Sequence, residues 1–197
     1  MHFFFQGPRQ AGKSTLLRSA LAPYAFSGAG LAVQRLVAED GRQVGFQALA
    51  VAGDIPPAQR EYSPQLQGVF LLQGVPSPGV LEGAVLECAR LAALPQVSWL
   101  LLDEIGGVEL ADPLVFQTLL DLLEGPKSCI GVLKSAENLA HTLSVLGPMP
   151  QVARRRQTLE KAILGRGELV LFSPSAQPLA RLTGSPFWKW LSSGFSP

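Results

Sequence analysis

Two short blocks of this 197-residue chain carry residue types that could do chemistry on phosphate. The first is Gly7, Pro8, Arg9, Gln10, Ala11, Gly12, Lys13 and Ser14, which fits G-x-x-x-x-G-K-[ST]. Glycines at both ends let backbone amides turn toward an anion with no Cβ in the way. A helix opening near Lys13 would aim its positive N-terminal end at the same anion. Lys13 would bring a mobile ammonium to the outer phosphates and Ser14 a hydroxyl to Mg²⁺. Thr15 offers a second hydroxyl toward an inner phosphate. Arg9 reads as exposed loop, with a phosphate or base contact as its alternative.

The second block is Asp103-Glu104, at the end of the apolar run Val97 to Leu102. A buried strand that ends in a carboxylate has the form of a Walker B strand. It puts that carboxylate where α/β sheets bind ligands. Asp103 is expected to hold Mg²⁺, and Glu104 to polarise an attacking water as general base. An acidic pair can also merely mark the exposed end of a strand. The phosphate loop upstream favours the catalytic reading, and the pair favours hydrolysis over transfer to an acceptor.

The elements that must position these blocks follow from periodicity and turn signals. Phe3 to Gln6 reads as a buried central strand leading into the loop, and Lys13 to Tyr24 as the helix leaving it. Leu31 to Val37 and Gln43 to Val51 flank Asp40-Gly41, a hairpin signal. Gly53 to Gln67 reads as a loop, Val69 to Leu72 as a short strand and Leu81 to Leu94 as a helix. A helix from Asp112-Pro113 to about Glu124 and a strand Cys129 to Leu133 come next. Helices over Glu137 to Leu146 and Gln151 to Leu164 precede a last strand, Leu169 to Phe172. This alternation predicts an α/β fold in three α/β/α layers. Its central sheet would be mainly parallel, plus an antiparallel hairpin. Residues 1–175 are expected to form that domain, and 176–197 a loose tail that packs on it.

Composition narrows the function classes. Hydrophobic residues make up 47% and charged residues 16%, which excludes a disordered chain. Sixteen basic against fifteen acidic residues give +1, which argues against a general nucleic-acid binder. Seven basic and two acidic residues lie from Pro148 onward, so a basic C-terminal stretch offsets an acidic body. Cys88 and Cys129 read as buried thiols in a reducing cytosol, with no His or Cys at metal-ligand spacing. Met1 to Gly7 is too short and uncharged for a secretory signal, and no run approaches a membrane span. A cytoplasmic protein with no membrane contact is expected.

Three blocks together resemble the small P-loop nucleoside-triphosphatases of the cancer-related or thermophilic type. They are Gly7 to Leu17, the hairpin Glu39 to Phe46, and Leu102-Asp103-Glu104-Ile105-Gly106-Gly107-Val108-Glu109-Leu110. The departures are Gln10 where the family has Gly, Ser14 for Thr, and Gly107 and Val108 for Lys and Met. The family's basic block before the middle strand is not recognisable around Gly68 to Phe70. The resemblance implies a P-loop NTPase fold and Mg²⁺-dependent hydrolysis of ATP, GTP and other triphosphates to diphosphates, with broad base tolerance. It carries the roles above onto Lys13, Ser14, Asp103 and Glu104.

Two other classes share the loop. One is a nucleotide or small-molecule kinase, with Gly53 to Gln67 as a lid. The other is a nucleotide-switched accessory protein for cofactor or metalloenzyme maturation, with Trp188 and Trp190 docking a protein partner. Arg60 and Arg154 to Arg156 are candidate Arg fingers, although the triple arginine reads first as the solvated start of a helix. His141 reads as an ordinary helix residue.

Overall fold

Three consecutive phenylalanines, Phe3, Phe4 and Phe5, are all fully buried in β1 (His2–Gln6). Only a central strand covered on both faces accommodates such a run. The computed structural model describes residues 1–173, 175 and 177–194. After β1 come α1 (Lys13–Leu21), a 3-10 turn, β2 (Gly28–Val37), β3 (Gln43–Ala52), β4 (Gln59–Glu61), β5 (Val69–Leu72) and β6 (Val75–Pro76). Then follow α2 (Val80–Ala92), β7 (Trp99–Ile105), α3 (Pro113–Glu124), β8 (Ser128–Leu133), α4 (Ala136–Leu146), α5 (Pro150–Arg166) and β9 (Gly167–Leu171). Helices α6 (Pro178–Gly184) and α7 (Pro186–Ser192) close the described chain.

The strands form one sheet in the order β6-β5-β3-β2-β7-β8-β1-β9, with β4 paired to β2. From β2 to β9 the pairs are parallel, while β3, β5 and β6 add antiparallel pairs at the other edge. Strand alternation divides the core. Phe4, Leu100 and Leu102 pack with Val85, Leu119 and Leu159 of α2, α3 and α5. Phe3, Phe5, Trp99 and Leu101 pack with Leu17 and Leu21 of α1 and with Leu182, Phe187 and Leu191 of α6 and α7. The result is the three-layer α/β/α fold with a mainly parallel sheet and an antiparallel hairpin.

Two segments are more ordered than their composition implies. Within 53–67, Gln59–Glu61 pairs in parallel with Arg35 to Val37. Its three residues are exposed, so no apolar pattern announces it. The region after Gln177 forms two helices rather than a loose tail. Pro178 and Pro186 open them, and the Ser185 hydroxyl accepts from the Trp188 amide to cap α7. Trp188 meets Tyr24 edge-on at 5.5 Å. Within the expected tail 176–197, residues 176 and 195–197 lie outside the described residues.

Candidate functional site

The loop between β1 and α1 runs along the C-terminal edge of the parallel strands. Gly12 has φ 91° and Gln10 φ 58°, both in the left-handed region. Glycine reaches that region without strain, whereas glutamine is uncommon there. Gly7 has φ 145°, and a Cβ there would stand 2.9 Å from the Phe172 carbonyl oxygen.

Lys13 is buried, and its Nζ donates to the carbonyl of Gly7 at 3.1 Å and to that of Pro8. Burial lowers its pKa, opposed by the charges of Glu104 and Asp103. Asn138 Nδ2, from α4, also donates to Gly7 O, at 3.0 Å.

Asp103 continues the side of β7 that faces α1 and is fully buried. The Ser14 hydroxyl donates to its Oδ1 at 2.8 Å. Arg18, one helical turn after Ser14, donates from Nε to its Oδ2 at 2.6 Å. The same guanidinium donates to the carbonyls of Pro56, Pro57 and Val33. Arg18 thereby ties α1, the acidic strand end and the 53–61 segment together.

Glu104 lines a cavity of about 500 Å³ shared with Arg9 to Thr15. Burial pushes its carboxyl above the usual range. Lys134 and Lys13 oppose that shift, while Asp103 and Glu109 reinforce it. Glu109 accepts from the Gly107 amide at 2.6 Å. A Cβ at Gly107 would lie 3.3 Å from Lys134 Nζ, so a lysine just past the end of β8 stands beside this loop.

Ser14 and Asp103 offer hard oxygen donors side by side, the set that Mg²⁺ prefers. Among the described residues no group of three or more His, Cys, Asp or Glu could hold a metal.

The other candidates separate. Arg9 and His141 line the cavity, but Arg60 and Arg154 to Arg156 do not. Arg155 donates to the carbonyls of Leu110 and Ala111 and covers the Phe116 ring. Arg156 is buried and donates to Lys134 O and Glu160. These two are packing residues rather than a solvated helix start. Sequence reasoning missed Arg18, Lys134 and Asn138. Only Arg18 carried a signal, its spacing four residues after Ser14 on one helix face.

Comparison with known proteins gives a family and a fold. A family model described as NTPase matches residues 2–163. Among solved structures, THEP1 from the hyperthermophile Aquifex aeolicus has a similar fold, with a TM-score of 0.58 at 15% identity. The match covers 96% of this chain and 99% of that one. No curated protein matches the sequence. Among the described residues no helix is long and apolar enough to cross a membrane.

Proposed function

This chain belongs to the NTPase family and is an NTP-hydrolysing enzyme, and from that premise we propose that it converts nucleoside triphosphates to diphosphate and phosphate with Mg²⁺. The observation that carries the reading is the Ser14–Asp103 hydrogen bond at 2.8 Å, which joins the phosphate loop to the acidic strand end. Loop amides from Gly7 to Thr15 would hold the phosphates. Lys13 would exchange the Gly7 and Pro8 carbonyls for phosphate oxygens. Ser14 and Asp103 would hold Mg²⁺, which when bound neutralises charge on the outer phosphates.

Glu104 would orient the attacking water and take its proton. Its raised pKa brings the carboxylate nearer the working range of a general base. Broad base tolerance is part of the proposal because the family resemblance implies it.

The test is phosphate release from ATP, GTP, CTP and UTP, with and without a metal chelator. All four should be hydrolysed, and chelation should abolish release. Lys13→Ala should lower turnover by roughly a hundredfold or more, as for loss of one transition-state donor. Phosphorylated acceptor formed faster than free phosphate would overturn the hydrolase reading.

A further inference from the structure

The cavity extends well past the phosphate loop. Its far wall is made by β2, β3 and β5, and there Arg35 has no hydrogen-bond partner for its buried Nε. Leu31, Val33 and Arg35 alternate along β2, so all three face the cavity. Phe46 stands opposite Arg35 in the ladder and stacks on Phe70, with centroids 6.2 Å apart and planes 24° apart. Both rings are half-buried and both line the cavity. Among the described residues the half-buried Arg35 guanidinium makes no side-chain hydrogen bond or ion pair, and an anion in the cavity would pair with it. Flat rings beside it suit a planar aromatic group.

Sheet order decides whether the triphosphate itself could fill this end. The loop leaves β1, the acidic pair ends β7, and β2 lies three strands from β1. At 4.7–4.9 Å per strand that is roughly 14 Å, and β3 and β5 lie farther still. If Glu104 acts on the terminal phosphate, as proposed above, the nucleotide's base trails away on the opposite side. The Arg35 end then lies beyond the terminal phosphate and is open to a second molecule.

We propose that Arg35, Phe46 and Phe70 form a second subsite that binds an anionic aromatic small molecule next to the triphosphate. The anion pairs with Arg35, and the ring lies against the phenylalanines. This inference rests on the triphosphatase reading for its geometry.

The test is calorimetric titration of the full chain, first loaded with Mg²⁺ and a non-hydrolysable triphosphate analogue. The probes are a nucleoside monophosphate in one arm and an aryl carboxylate in the other. One equivalent of at least one probe should bind the loaded protein, and the better arm identifies the anion. Arg35→Met should weaken that binding roughly tenfold to a hundredfold, as for loss of a charged hydrogen bond. Phe46→Leu should weaken it as well, and Arg35→Lys should fall between. Unchanged analogue affinity in these variants shows that they fold. Failure of both probes to bind, or equal binding to Arg35→Met, overturns the subsite. If the analogue itself fails to bind, the triphosphatase reading falls instead. The same titrations on unloaded Lys13→Ala protein then still decide the subsite.

Discussion

Arg18 and Asp103 form a buried ion pair at the centre of the site, with side chains 3% and 0% exposed. Taking one partner away leaves a charge in the interior, which typically costs about 3–5 kcal/mol. Arg18→Ala should therefore lower the stability read from urea unfolding by an amount of that order, and an unchanged midpoint would show the pair to be idle. Arg18→Lys should not rescue it, because a lysine cannot reproduce the fork of bonds to Asp103, Pro56, Pro57 and Val33. Glu104 differs, because its carboxylate faces the cavity. Glu104→Gln should retain nucleotide binding while hydrolysis falls about a hundredfold or more. Normal turnover in that variant would remove Glu104 from the mechanism. In the native protein the raised pKa sets the sign of the pH profile: activity declines as pH falls and Glu104 is protonated, and it does so above the pH expected of an ordinary glutamate.

Elements differ in how openly the chain announces them. The α6–α7 pair places Leu182, Phe187 and Leu191 against Leu17 and Leu21, beneath the helix that carries Lys13 and Ser14. Leu191→Ala should cost about 2–5 kcal/mol, as for other buried leucines, and a thermal melt would read it. A melt unchanged by that substitution would show α7 to be a dispensable cover. The phosphate loop and the acidic pair were legible because each is a short local pattern with its own chemistry. The hairpin was legible through Asp40-Gly41. The short strand β4 was not, because exposed Gln59, Arg60 and Glu61 owe their pairing to backbone and to distant donors. Lys134 and Asn138 were hidden for a related reason. They reach the site through chain crossings, and no spacing in the sequence records which strand lies beside which.

For the whole molecule, two titratable groups, buried His2 and half-buried Glu104, pull stability in opposite directions with pH. Burial lowers the His2 pKa from 6.5 to about 4. His2 Nε2 lies 2.8 Å from the Leu123 carbonyl oxygen, and Nδ1 lies 2.9 Å from the Met1 carbonyl oxygen and 3.1 Å from the Cys129 amide. Burial outweighs the two carbonyl contacts, so the neutral ring is the form the fold favours. Its contribution is complete above the unfolded pKa near 6.5 and is lost as pH falls toward about 4. Glu104 has the opposite sign. Its raised pKa means that the folded state favours the protonated form, so ionisation works against folding as pH rises. Melts between pH 4 and 8 separate the two. His2→Asn should flatten the acid side of the native curve, and Glu104→Gln should raise the melting temperature most at neutral pH. An acid slope unchanged by His2→Asn would assign it to other groups. A Glu104→Gln melt no higher than native at neutral pH would show that the carboxylate needed for hydrolysis carries no stability cost.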